Sequence, residues 1–245
     1  MSNVDIVYDK IVRFFENKCG REGSSSDEIH DEKERDISLL RIACMGNPEK
    51  TMQGELLCHL RGEKDIIPVL EYRYHRFENV ADKRKANGRS IDIMVLDKDH
   101  NPVVAIELKH HSRQQGTLKP LLENLDADRE KLQSLPLPVI QIGLYTEIVS
   151  VANGACRDDF LDYRFITAYA YNGTELRLNR TKILDALEDA RKKLEEWAGR
   201  FDESKLSLSG RLDRFAVGEK SVTGRVHYFI GLSRPKNRLL QSCCA

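Results

Sequence analysis

Residues 90–109 constrain the fold more than any other stretch of the chain. They read Ser-Ile-Asp-Ile-Met-Val-Leu-Asp, then Lys-Asp-His-Asn, then Pro-Val-Val-Ala-Ile-Glu-Leu-Lys. Two apolar runs joined by four turn-forming residues specify a β-hairpin. With the turn centred between Asp99 and His100, cross-strand partners are positions whose numbers sum to 199, so Asp92 faces Glu107. Opposed residues carry Cβ atoms ~4.5–5.5 Å apart, and like charges there destabilise the pair unless something neutralises them. Lys109 lies two residues beyond Glu107 and projects from the same face.

The acids are embedded in Ile91, Ile93, Met94, Val95 and Leu96 on one strand and Val103, Val104, Ala105 and Ile106 on the other. Runs this continuously apolar belong to strands covered on both faces. A charge in such a strand needs a partner or a metal ion. A structural ion cluster satisfies that need through Lys109 alone. A hard divalent cation satisfies it as well, because Mg²⁺ takes carboxylate oxygens and keeps water in its other positions.

Asp92, followed fifteen residues later by Glu107-Leu108-Lys109 across a hairpin, resembles the signature of the PD-(D/E)XK phosphodiesterases, the restriction-endonuclease-like nucleases. Ile91 stands where that family often has proline. The resemblance implies an α/β fold with an αβββαβ core, a mixed central sheet flanked by helices. It implies that Asp92, Glu107 and the Leu108 carbonyl hold one Mg²⁺ or Mn²⁺, and that Lys109 orients or deprotonates the attacking water. Glu55, on the helix before the three-stranded core, matches the position of an acidic residue that supports a water at the metal; a solvated helical glutamate is the other reading of it. The implied activity is a metal-dependent endo- or exonuclease, on DNA ahead of RNA, in restriction, other antiphage defence or DNA repair. A homodimer is a further expected partner. The alternative is a catalytically silent member that binds nucleic acid or protein.

Lys plus Arg and Asp plus Glu both number 39 in 245 residues, so net charge makes no global case for a nucleic-acid partner. A local basic rim serves instead. Lys83, Arg84, Lys85 and Arg89 lie just before Asp92, and His110 and His111 just after Lys109; these are the candidate phosphate contacts, with a solvated loop as the plainer reading of the basic run. Six cysteines without zinc spacing, no leader pattern and no long apolar run lead to the expectation of a cytoplasmic chain with no membrane segment.

Periodicity divides the chain into an N-terminal helical extension (1–50), a nuclease-like core (51–198) and a basic C-terminal extension (199–245) packed on that core. Residues 3–18 repeat at three and four as an amphipathic helix, and a polar stretch at 20–36 reads as a loop. A helix at 37–45 stops before Asn47-Pro48, and another starts at Thr51. A strand is expected at 69–75, a helix at 118–135 and a strand at 139–149. Beyond these come a hairpin at 164–178, a helix at 180–197 and a strand at 221–232. Gln141 and Tyr145 reproduce a Gln-x-x-x-Tyr motif of one branch of the same superfamily, but in strand-like surroundings where that branch has a helix, and we read it as coincidence.

Overall fold

The computed structural model describes residues 2–18, 39–43, 47–73, 90–112, 119–132, 135–151, 192–207, 213–217 and 220–235. Among the described residues, three helices precede the hairpin: α1 (Asn3–Lys18), α2 (Leu39–Ala43) and α3 (Pro48–Leu60). They are followed by β1 (Ile66–Arg73), β2 (Ser90–Asp97), β3 (Pro102–Ser112), α4 (Lys119–Leu132), β4 (Val139–Val151), β5 (Glu203–Ser207), β6 (Asp213–Val217) and β7 (Lys220–Ser233). A helical segment also covers 192–198. The expected polar loop at 20–36, the hairpin at 164–178 and the larger part of the helix at 180–197 lie outside the described residues.

The seven strands among the described residues belong to one mixed sheet of order β1-β2-β3-β4-β7-β5, with β6 pairing β7 off that path. The β1–β2–β3 meander is antiparallel, β3 and β4 run parallel, and β7 returns antiparallel to β4. A parallel pair needs a crossover, and α4 supplies it. The order from α3 to β4 is the αβββαβ order expected from the sequence. The basic C-terminal segment supplies β5–β7, and β7 pairs with β4 from Val139 to Val151.

Both faces of the sheet are covered. On one, Ile93, Val95, Val104, Ile106, Leu108, Ile140 and Ile142 pack with the apolar stripes of α1, α2 and α3. On the other, Ile91, Met94, Leu96 and Ala105 pack with Leu132, Leu135 and Leu137, and Tyr145 and Phe229 with Leu121, Leu125, Leu194 and Trp197. The side-chain period of two divides β3 and β4 between the layers. Among the described residues, no helix is long and apolar enough to cross a membrane.

Local chemistry sets the helix starts. In α1, the Ser2 hydroxyl accepts from the Asp5 amide while Asp5 Oδ2 accepts from the Ser2 amide, a reciprocal cap. In α3, Asn47 Oδ1 accepts from the Lys50 amide and Pro48 occupies the first turn. Proline suits that position because its missing N–H has no intrahelical partner there. The helix thus begins three residues before Thr51, and Asn47-Pro48 is its start. Strand β1 likewise begins at Ile66, before the expected Val69, and takes Pro68 because it is the edge of the sheet.

Helix α4 packs its Leu125 side chain over Gly143 of β4. A Cβ added to Gly143 would stand 2.9 Å from Leu125 Cδ1. Beside it, the buried Gln141 amide donates to the Leu125 carbonyl at 2.8 Å. We expect Gly143→Val to lift α4 from the sheet and cost ~1–3 kcal/mol, the usual penalty of overpacking, read as a lower urea midpoint with an unchanged denaturant slope.

Candidate functional site

The expected register is present where the ladder is regular: Ile93 opposes Ile106, Met94 opposes Ala105 and Val95 opposes Val104. Beyond Ile93–Ile106 the two strands are joined through side chains. The Leu108 amide donates to Asp92 Oδ2 at 2.8 Å, and the Asp92 amide donates to Glu107 Oε2 at 3.4 Å. Each carboxylate therefore takes an amide of the opposite strand as its donor. Glu107 is only 3% exposed, and a buried carboxylate with amide donors avoids much of the desolvation penalty that an unpartnered one incurs.

Lys109 joins the pair from the same face. Its Nζ lies 3.7 Å from Glu107 Oε1, 3.1 Å from Asp128 Oδ2 and 3.4 Å from the Leu108 carbonyl. Burial alone would lower the pKa of this ammonium, but Asp128, then Glu107 and Asp92, outweigh it and hold the value above the ordinary lysine range. The lysine stays charged beside these carboxylates. Asp128 sits on α4, nineteen positions beyond Lys109. No spacing rule singled it out, because only the crossover packing of α4 on β3 and β4 brings it there.

The carboxylate that α3 brings to the site strand is Glu49. Its Oε1 accepts from the His110 amide at 2.9 Å. Glu55 lies six residues on, on another side of the helix, and pairs with Lys18 at the end of α1 at 3.2 Å. A first-turn acid behind Asn47-Pro48 was the available signal, visible once the helix is started at the cap. Next to Glu49, Lys50 pairs with Glu71, whose other oxygen accepts from the Ser90 hydroxyl at 2.5 Å. Glu71 falls at the β1 position across from Asp92 and has a left-handed φ of 52°. The first turn of α3 thus ties β1 to β3 at the end where Asp92 and Glu107 lie.

His110 and His111 point to opposite faces, as strand neighbours must. His110 Nε2 lies 3.0 Å from Thr146 Oγ1. Its pKa is pushed down to about 4 by burial, then by the neighbouring His111. His111 belongs to the Glu107–Lys109 face, where its ring stacks on Tyr145 and Tyr145 stacks on His227. All three are buried. Gln141 and Tyr145 therefore serve the packing of this face, one anchoring α4 and the other spacing two histidines. Lys83, Arg84, Lys85 and Arg89 lie outside the described residues.

Oxygen donors suit Mg²⁺ or Mn²⁺, and one or two protein carboxylates completed by water are the usual set for Mg²⁺. Asp92 and Glu107 make up a set of that size. Among the described residues, no group of three or more His, Cys, Asp or Glu side chains is arranged to hold a metal ion. Asp128 and Glu49 therefore belong to the surroundings of the pair, outside any preassembled cage. In comparison with known proteins, the chain matches no family model, no curated protein and no solved structure.

The depressed His110 has a consequence for acid stability. A histidine of this kind contributes stability present above its unfolded value of 6.5 and lost as the pH falls below it. Acidification from about pH 7 to about pH 4.5 should therefore remove on the order of 2 kcal/mol through this group. His110→Gln should flatten that part of the stability profile, measured by chemical unfolding at each pH.

Proposed function

We propose that the chain is a metal-dependent phosphodiesterase that hydrolyses the backbone of a nucleic acid, DNA ahead of RNA, in the manner of the restriction-endonuclease-like nucleases. The observation that carries this reading is the joint placement of Asp92, Glu107 and Lys109 on one sheet face, with both acids bonded to the opposite strand's amides. The α3-to-β4 element order supports it, since the site falls where β2 and β3 leave their regular ladder.

In this reading Asp92 and Glu107 hold one Mg²⁺ or Mn²⁺ and the Leu108 carbonyl is the third protein oxygen. When bound, the cation supplies Lewis-acid stabilisation of the charge that gathers on the scissile phosphate and makes water a better nucleophile, together several kcal/mol of barrier lowering. The residues do the rest. The exchanged amide–carboxylate bonds hold the two acids at a fixed separation. Lys109, kept protonated by its neighbours, orients the water and faces the phosphate as a cation. Glu49 fixes the β3 backbone at His110, immediately after Lys109, from the opposite face of the sheet. The basic run at 83–89 supplies the candidate contacts to flanking phosphates, and the buried His111 is left to packing against Tyr145.

The alternative, a silent binding module of the same shape, keeps the fold and binds nucleic acid without cutting. The intact acid, acid and lysine set favours the enzyme.

Supercoiled plasmid, linear duplex, single-stranded DNA and RNA, each incubated with Mg²⁺, Mn²⁺ or EDTA, form the test. We expect cutting that needs the metal, and its loss by at least about a hundredfold in Asp92→Ala, Glu107→Ala and Lys109→Ala. Glu49→Gln should slow cleavage by about tenfold while Glu55→Gln leaves it within about twofold. Full activity in a purified Glu107→Ala protein would remove the site assignment. Nucleic-acid binding with no cutting under any metal would transfer the reading to the silent module.

A further inference from the structure

We infer that Asp128 is a positioning residue which holds the Lys109 ammonium and thereby leaves the Asp92–Glu107 pair open to a divalent cation. This rests on the reading of that pair as a metal site.

The geometry ranks the partners of Lys109: Asp128 Oδ2 at 3.1 Å is closer than Glu107 Oε1 at 3.7 Å. Three carboxylates and one ammonium gather here, leaving two formal negative charges among these four groups. A divalent cation balances those two, so with the cation on Asp92 and Glu107 the Lys109 charge is met by Asp128. Remove Asp128 and the nearest remaining carboxylate for the ammonium is Glu107, which the cation needs. Coulomb attraction over a few ångströms in partly buried surroundings is large enough to matter to a weak oxygen-ligand site. Lys109 and Asp128 are 23% and 16% exposed at their side chains, so this is no freely solvated pair of the kind that contributes little.

Asp128 is delivered to that spot by contacts of its own. Leu125, one turn earlier on the same side of α4, offers its carbonyl to the buried Gln141 amide. Gly143 leaves room for the Leu125 side chain over β4. On the neighbouring side of α4, Asp126 accepts from Trp197 Nε1 and from Arg200, both at 2.9 Å, locking the helix to the segment after 192. Asp128 does not join Asp92 and Glu107 in a three-donor metal group, so it acts through Lys109. Partners that orient and balance a metal site in this way change affinity by roughly 10- to 100-fold when removed.

The test is Mn²⁺ affinity, by calorimetry and by the electron paramagnetic resonance of unbound Mn²⁺, without substrate. The proteins are the full chain, Asp128→Asn, Asp128→Glu, Lys109→Met and the double variant Asp128→Asn/Lys109→Met, each checked for native circular dichroism. We expect Asp128→Asn to weaken Mn²⁺ binding about tenfold and Asp128→Glu to retain most of it. Lys109→Met should tighten binding, and the double variant should bind at least as tightly as the unmodified chain, because the competing ammonium is gone. A merely structural role for Asp128 would weaken the double variant as much as the single one. That result, or binding by Asp128→Asn within about twofold of the unmodified chain, would overturn this inference and leave the metal site standing. Absence of Mn²⁺ binding by the unmodified chain would overturn the metal reading and this inference with it.

Discussion

A carboxylate buried in the middle of a sheet covered on both faces is the constraint around which this protein is arranged. Glu107 follows four apolar residues in a strand whose two sides feed separate hydrophobic layers, and it is nearly inaccessible. Such a group is tolerable only if donors and cations come to it. The Asp92 amide and the Lys109 ammonium do so from within the hairpin. The departure of β2 and β3 from a regular ladder follows, since the amides that would continue it are turned to the two acids.

The surrounding helices extend the same logic. α4 closes the face that carries the acids, with Leu125 seated over Gly143 and its carbonyl bonded to the buried Gln141 amide. α3 closes the opposite face and sends a first-turn glutamate to the β3 backbone just past Lys109. Both helices are held chiefly by apolar burial, worth about 25 cal/mol for each Å² removed from water, and each spends one acidic residue at the site strand. Gathering like charges in this way is a poor route to stability, because desolvation consumes much of what pairing returns. That imbalance is what makes the cluster a candidate for chemistry, as perturbed charge groupings concentrate at functional sites.

The two histidines after Lys109 show how strand geometry separates residues that are adjacent in sequence. His110 turns toward Thr146 and the α3 layer and is held neutral by burial, whereas His111 joins Tyr145 and His227 in a stacked row on the α4 layer. Only the second shares a face with Glu107 and Lys109. The Gln-x-x-x-Tyr spacing on β4 is absorbed by the same period: residues four apart share a face of a strand as they do of a helix. Here that face serves helix docking and ring stacking.

What the sequence determined by itself was local. Alternation and the two apolar runs set the hairpin, its register from Val95–Val104 through Ile93–Ile106 and the shared face of Asp92, Glu107 and Lys109, because strand period acts over a few residues, whereas beside the turn the ladder slips by one and Leu96 opposes Pro102. The α3-to-β4 order was legible for the same reason. The tertiary structure decided everything that joins distant segments. It placed Asp128 against Lys109, chose Glu49 over Glu55 as the α3 acid at the site strand, and laid the C-terminal β7 along β4. None of these has a short-range signature: each depends on how a helix rotates as it docks or which sheet edge a strand finds, and packing of whole surfaces settles both.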